Sequence, residues 1–148
     1  MILLAQVFRK LTSGWNKRPL TESDFYRLCK KLHVCVIEDG SYDMVGKGLY
    51  MVIESVPTIF INDKLKGLEK LWVMFHELGH HLLHTPETCF FSESIQHKAQ
   101  SEANLFAAVA LIPEKIVRQM PLWEYYELDE FATRLLQIRL EVFELYSL

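Results

Sequence analysis

Residues 68–84 read LEKLWVMFHELGHHLLH, and the rest of the chain can be understood around this stretch. Its apolar positions 68, 71, 72, 75, 78, 82 and 83 follow the spacing of a buried helical face. Lys66-Gly67 predicts the start of the helix and Thr85-Pro86 its end. We therefore predict a mostly buried helix of about four to five turns, which would hold functional side chains rigidly.

The same stretch contains an H-E-x-x-H motif, His76-Glu77-Leu78-Gly79-His80. Histidines four residues apart share one helix face, with Cβ atoms about 5–6 Å apart. Both imidazoles can therefore reach one metal ion of the zinc type. Glu77 would lie beside that ion, where it can take a proton from a bound water. The alternative is that these are ordinary polar residues on an amphipathic helix. Three polar side chains would then lie beside an apolar face without a binding partner to offset the cost of burial.

A catalytic zinc site usually has three protein ligands and one open position, so two histidines are not enough. The extended motif H-E-x-x-H-x-x-G-x-x-H would need glycine at 83 and histidine at 86, where this chain has Leu83 and Pro86. The third ligand must then come from further along the chain. The downstream candidates are His84, Glu87, Glu93, His97 and Glu102.

We favour Glu102 among these candidates. It lies in a helical segment, residues 101–108, in which Ala103 and Ala107 would permit close packing on the motif helix. Close packing can bring a carboxylate within the roughly 2 Å that a metal bond requires. His84 lies one turn too far along the motif helix, and Glu87 and Glu93 fall on an expected loop. An ordinary surface acid remains the alternative for Glu102.

Composition indicates one globular domain over residues 1–148, with half of the residues hydrophobic and 24% charged. The net charge of −3 argues against general binding of polyanions. Residues 1–36 contain seven basic and two acidic residues. This positive charge could bind an acidic partner or simply face solvent. The three cysteines, Cys29, Cys35 and Cys89, form no C-x-x-C pair, which favours reduced thiols and a cytoplasmic protein. No signal peptide or apolar stretch of membrane-spanning length is visible.

The order of predicted elements favours an α+β fold, with a small three-stranded sheet covered by helices and the motif on a central helix. Thr21 and Asp24 predict a capped helix that ends near residue 32. The other predicted elements are a helix over 2–12, strands over 34–37, 49–53 and 58–61 with Pro57 between the last two, helices over 94–111 and 128–145, and a short helix opened by Pro113-Glu114.

Residues 72–84 (WVMFHELGHHLLH) and 102–113 (EANLFAAVALIP) together resemble the ImmA/IrrE family of metallopeptidases, which implies a zincin-like fold. The resemblance covers about residues 20–148, including the strand at 58–62 and a closing helix at 131–140. It implies one divalent metal ion, zinc with manganese as the alternative. The ligands would be His76, His80 and Glu102, with Glu77 as the catalytic residue.

Known members of this family act in bacteria and their mobile elements, and several cleave a helix-turn-helix repressor. The resemblance therefore implies a metal-dependent endopeptidase in transcription regulation, with such a repressor as its protein substrate and no direct contact with nucleic acid or membrane. The chain departs from longer members in having no room for a DNA-binding or sensor domain. Leu111-Ile112 also replaces the usual leucine-methionine before the final proline.

Two other functions remain open. The first is a regulatory module that binds a repressor or toxin and cleaves it slowly or conditionally, against which the intact Glu77 argues. The second is a DNA-binding protein, against which the acidic balance and the lack of a clear helix-turn-helix argue. An enzyme would also need a donor to the oxyanion. The residues considered for it are Tyr42, Tyr50, His84, Tyr125 and Tyr126.

Overall fold

The computed structural model describes residues 14–40, 47–83, 93–119 and 129–148, of which residues 93–97 are described as backbone only. Five helices and three strands occupy these ranges. They are α1 (Glu22–Lys31), β1 (Cys35–Asp39), β2 (Gly48–Ile53), β3 (Val56–Asn62), α2 (Gly67–Leu83), α3 (Glu93–Leu111), α4 (Glu114–Gln119) and α5 (Glu130–Tyr146). The α+β prediction is confirmed, whereas the predicted helix over 2–12 lies outside the described residues.

Helix α1 begins as the sequence predicts. The Thr21 hydroxyl accepts from the Asp24 N–H while the Asp24 carboxylate accepts from the Thr21 N–H, which is a complete capping box. The Asp24 carboxylate is 2% exposed and is held between the guanidinium groups of Arg18 and Arg27, at 2.8 and 2.7 Å. These contacts hold the pKa of Asp24 well below its usual range, with the Arg18 hydrogen bond as the largest cause.

The sheet has the order β1-β3-β2, with β1 parallel and β2 antiparallel to the central strand β3. Glu54 and Ser55 form a two-residue hairpin turn, and both have positive φ, as a type I′ turn requires. The break expected at Pro57 is wrong, because Pro57 lies inside β3 opposite Val52. Across a two-residue turn, Ile53 and Val56 form the hydrogen-bonded pair, and Val52 and Pro57 form the next pair, which has no hydrogen bonds. The missing N–H of Pro57 therefore removes no bond between β3 and β2.

The two faces of the sheet differ in their surroundings. Ile59 and Ile61 of β3 are fully buried on the face that packs against α2. On the opposite face, the side chains that alternate with them in β2 and at the start of β3 are 39–50% exposed; these are Leu49, Met51, Ile53 and Val56. The sheet thus supports the motif helix from one side only.

Helix α3 packs along α2 and extends the core away from the sheet. Phe75 of α2 and Phe106 of α3 are fully buried, and Trp15 stacks on Phe106 with ring centroids 5.6 Å apart. The Trp15 indole N–H donates to the Phe106 carbonyl oxygen at 3.1 Å. These contacts tie the segment before α1 to α3, behind the motif helix.

Helix α5 returns across α3 and is anchored by a fully buried arginine, Arg139. Its guanidinium donates to the carbonyl oxygen of Ile112 and to Asn16 Oδ1, which also accepts the N–H of Glu114 at the start of α4. Burial lowers the pKa of Arg139 to about 10. One side chain therefore joins α5 to the α3–α4 corner and to the N-terminal segment.

Among the helices of the described ranges, none is long and apolar enough to cross a membrane.

Candidate metal centre

His76 and His80 lie one turn apart on α2, and their side chains face each other. The two Nε2 atoms are 3.2 Å apart, and the rings are nearly perpendicular, at 86°. Two corners of a tetrahedron with metal–nitrogen bonds of 2.0–2.1 Å would lie about 3.3 Å apart. The spacing of the two nitrogens therefore fits two ligands of one tetrahedral metal ion.

Glu77 completes a compact group with the two histidines. Single ligand atoms of the three residues all lie within 4.8 Å of one another, and Glu77 Oε1 is 3.9 Å from His76 Nε2. The Glu77 side chain is largely buried, and burial raises its pKa to about 7. A carboxyl group in this setting binds a proton far more readily than one in water.

The motif lies on a helix, as predicted, but the sequence did not indicate Gln100 on α3. Its Oε1 atom lies 2.8 Å from His76 Nε2, the same nitrogen that faces His80. The Trp72 ring also lies beside the His76 ring, with ring centroids 6.4 Å apart. A single glutamine belongs to no metal-binding motif. The only signal for Gln100 in the sequence is its position two residues before Glu102.

Helices α2 and α3 approach each other as closely as the alanines predicted. A Cβ added to Gly79 would lie 3.2 Å from Ala103 Cα. Glu102, the neighbour of Ala103, is 6% exposed, and its Oε1 atom is 3.9 Å from Lys98 Nζ. Among the described residues, the metal-competent group consists of His76, Glu77 and His80, and Glu102 is not part of it. Its role as third ligand stays a prediction.

The other sequence candidates divide into three groups. Tyr50 uses its hydroxyl to contact His81 Nδ1 at 2.8 Å, and this contact joins β2 to the end of α2. Burial lowers the pKa of His81. The side chains of Glu93 and His97 are not described. The candidates outside the described residues are Tyr42, His84, Glu87, Tyr125 and Tyr126.

The metal-competent group opens into a cleft of about 420 Å³. Its four walls come from the start of β2, from α2, from α3 and from α5. The lining residues are Lys47, Gly48, Glu69, Trp72, Val73, His76, Glu77, Gln100, Asn104, Phe131, Arg134, Leu135 and Ile138. Lys47 and Ile138, which are 91 positions apart in the sequence, thus share one cavity beside His76.

Gly48 brings the edge strand β2 into direct contact with the motif helix. A Cβ at this position would lie 2.5 Å from Val73 Cγ1 and 3.2 Å from Glu77 Cγ. The Asn62 N–H donates to the Lys47 carbonyl oxygen, and ladder bonds alternate along an antiparallel pair. The backbone N–H and C=O of Gly48 therefore point away from β3, toward the outer edge of the sheet. This edge borders the cleft.

Comparisons with known proteins agree with the geometry. A family model described as the IrrE N-terminal-like domain, of the M78 peptidases, matches residues 29–144. The chain is 33% identical over 117 residues to a protein of Bacillus phage phi105 named "Uncharacterized immunity region protein 2". That alignment covers 74% of this chain and 71% of the phage protein. No solved structure gives a significant match.

Proposed function

Because the chain belongs to the M78 peptidase family of IrrE N-terminal-like domains, we propose that it is a metal-dependent endopeptidase that cleaves a helix-turn-helix repressor or a similar regulatory protein. The observation that carries this proposal is the group formed by His76, Glu77 and His80 at the wall of an open cleft. A purely structural metal site would not need a buried glutamate beside its ligands, and it would not need access from solvent.

The proposed ligands are His76, His80 and Glu102. Two imidazole nitrogens and one carboxylate oxygen form a donor set that suits catalytic zinc, and manganese is the alternative. The 3.2 Å separation of the two Nε2 atoms supports the histidines. The burial of Glu102 supports the carboxylate, because a carboxylate that is only 6% exposed is stabilised by positive charge, which a metal ion would add to that of the exposed Lys98 at 3.9 Å.

A bound divalent metal ion would lower the pKa of a water molecule and polarise the substrate carbonyl. Glu77 is placed to take the proton from the attacking water and to return it to the nitrogen of the departing amine. Its burial shields this transfer from bulk solvent. Trp72 packs beside the His76 imidazole and helps to keep its orientation constant while the proton moves. The contact of Gln100 with the same Nε2 atom would give way to the metal bond.

The edge of β2 provides a place for the substrate backbone. An extended peptide can add to an exposed sheet edge through main-chain hydrogen bonds. Glu77 packs against Gly48, with its Cγ 3.2 Å from where a Cβ would lie, so a peptide that pairs with the outward N–H and C=O of Gly48 would run close to the proposed base. This arrangement favours an unfolded or flexible segment of a protein as the substrate.

The regulatory substrate is supported by the resemblance to repressor-cleaving members and by the name of the phage relative, which refers to an immunity region. We propose that the partner is a repressor in the cytoplasm, where the reduced cysteines would also be stable. A gene for a helix-turn-helix protein beside the gene for this chain would identify the first substrate to test.

A binding module with little proteolysis is the second candidate, and one experiment separates it from the enzyme. The metal content of the wild type and of Glu102→Ala, Glu77→Gln and Glu141→Gln would be measured together with cleavage of the candidate repressor. The enzyme predicts about one metal ion per chain, lost in Glu102→Ala and retained in Glu77→Gln, with cleavage abolished in both. Glu141, exposed on α5, is the matched control. If Glu77→Gln still inactivates the repressor without cleaving it, the binding module would be supported instead.

A further inference from the structure

Helix α5 presents an apolar stripe to the cleft, and one position of that stripe is an arginine. Phe131, Leu135 and Ile138 line the cleft together with Arg134. Residues at spacings of three and four share one face of a helix. Arg134 therefore stands where the periodicity of the stripe would place another apolar side chain.

The charge of Arg134 is not balanced within the part of the chain that the structure describes. No described carboxylate lies within ion-pair distance of it, although Glu130 precedes it by one turn on the same helix. The other cation of the cleft, Lys47, is balanced by Glu69 at 3.1 Å. Among the described residues that line the cleft, α5 therefore contributes one exposed positive charge, Arg134, whereas Lys47 and Glu69 balance each other and Glu77 lies buried in α2.

Next to Arg134, the cleft is apolar and aromatic. Trp72 of α2 and Phe131 of α5 meet edge to face, with ring centroids 6.2 Å apart and an angle of 80°. Leu135 and Ile138 continue this surface along α5. A cavity with an aromatic and aliphatic wall and one placed charge selects a ligand that has both an apolar and an oppositely charged group.

From these observations, which build on the proposed peptidase function, we infer that Arg134 is a specificity residue. It selects substrate segments in which an acidic side chain lies two residues from a large apolar one. The apolar side chain packs against Trp72 and Phe131, and the carboxylate pairs with the Arg134 guanidinium.

The spacing of two residues follows from the geometry of the two chains. Side chains one turn apart on α5 are separated by about 5–6 Å. In an extended peptide, residues i and i+2 point to the same side and lie about 6.6–6.8 Å apart. Neighbouring residues point to opposite sides, so an acid directly beside the apolar residue would face away from Arg134.

The test uses two sets of ten-residue peptides with one central leucine or phenylalanine and otherwise neutral, small residues. A glutamate, glutamine or lysine is placed one or two residues before or after the apolar residue. Internally quenched versions report cleavage by the metal-loaded wild type as kcat/KM. Fluorescein-labelled versions report binding to Glu77→Gln by anisotropy, so that selectivity is measured even where no peptide is cleaved.

The inference predicts a preference for glutamate over glutamine of about fivefold at a spacing of two, with lysine least favoured and little preference at a spacing of one. Arg134→Gln should abolish the preference and Arg134→Glu should reverse it in favour of lysine. The matched control is Lys115→Glu, the same change of charge at an exposed position of α4 outside the cleft, which should keep the order of the wild type.

The two hypotheses fail in different ways. Cleavage with equal rates for glutamate, glutamine and lysine, or an unchanged preference in Arg134→Glu, would overturn the role of Arg134 while the peptidase stands. Selective binding by Glu77→Gln that Arg134→Glu reverses, without cleavage of any peptide by the wild type, would support Arg134 and contradict the enzyme. Absence of measurable binding and cleavage would overturn the inference.

Discussion

Gly79 of α2 and Ala103 of α3 face each other so closely that a Cβ on the glycine would lie 3.2 Å from the alanine Cα. Both residues adjoin proposed metal ligands, since Gly79 precedes His80 and Ala103 follows Glu102. The distance between the two helices at this point therefore controls whether ligands from α2 and from α3 can meet at one ion.

Enlarging Ala103 should separate the helices. Ala103→Leu is expected to lower the free energy of unfolding by about 1–3 kcal/mol, because Ala103 is fully buried at the close contact of α3 with α2 and a larger side chain overpacks that site. Metal affinity should fall as well. Urea unfolding and zinc titration would measure the two effects, with Gln137→Leu on the exposed side of α5 as control. Normal zinc affinity in a folded Ala103→Leu variant would contradict the dependence on helix spacing.

Adding a side chain at Gly48 should impair catalysis more than metal binding. The new Cβ of Gly48→Ala would collide with Val73 and press on Glu77, whereas neither His76 nor His80 is among its three nearest contacts. We expect kcat/KM to fall by about tenfold or more, as 1 Å displacements at active sites commonly cause, with metal content unchanged. Met51→Ala, at an exposed position of the same strand, is the control. Equal loss of metal in Gly48→Ala would show that the strand supports the ligands instead.

The Asp24 ion pairs should make stability depend on pH in the acid range. The folded-state pKa of Asp24 is depressed, so its contribution is complete above the unfolded value of about 3.9 and is lost as the pH falls toward the folded-state value. Asp24→Asn should cost about 1–2 kcal/mol of unfolding free energy at pH 7. The difference between wild type and variant should shrink steadily below about pH 4. A difference that is constant between pH 7 and pH 3 in urea titrations would refute this role.

The two described cysteines should differ strongly in reactivity. Cys29 is 2% exposed, and burial raises the pKa of its thiol to about 12, whereas Cys35 is exposed. In a Cys89→Ser background, a chromogenic disulfide reagent should therefore modify one thiol quickly and the second only on unfolding. Cys35→Ser in that background should remove the fast reaction. Two fast thiols in the native protein would mean that α1 opens readily.

Local elements of this protein were predictable because their causes are local. The capping box of Thr21 and Asp24 and the helix of the H-E-x-x-H motif involve contacts within one or two turns, which sequence spacing specifies. The break expected at Pro57 was wrong for a nonlocal reason. A proline in a strand removes a hydrogen bond only where its nitrogen faces a neighbouring strand at a hydrogen-bonded position. For Pro57, the register with β2 decides this.

The sequence by itself determined that His76 and His80 share one face of α2, because helical periodicity places residues four apart on the same side. The 3.2 Å between their Nε2 atoms also depends on the side-chain rotamers. The sequence also determined the small-residue contact of α2 with α3. Only the tertiary structure decided that Gln100, Phe131 and Arg134 meet His76 and Glu77 in one cleft. Their convergence depends on the rotation and crossing of three packed helices, which is set by the summed packing of the core and not by spacing along the chain.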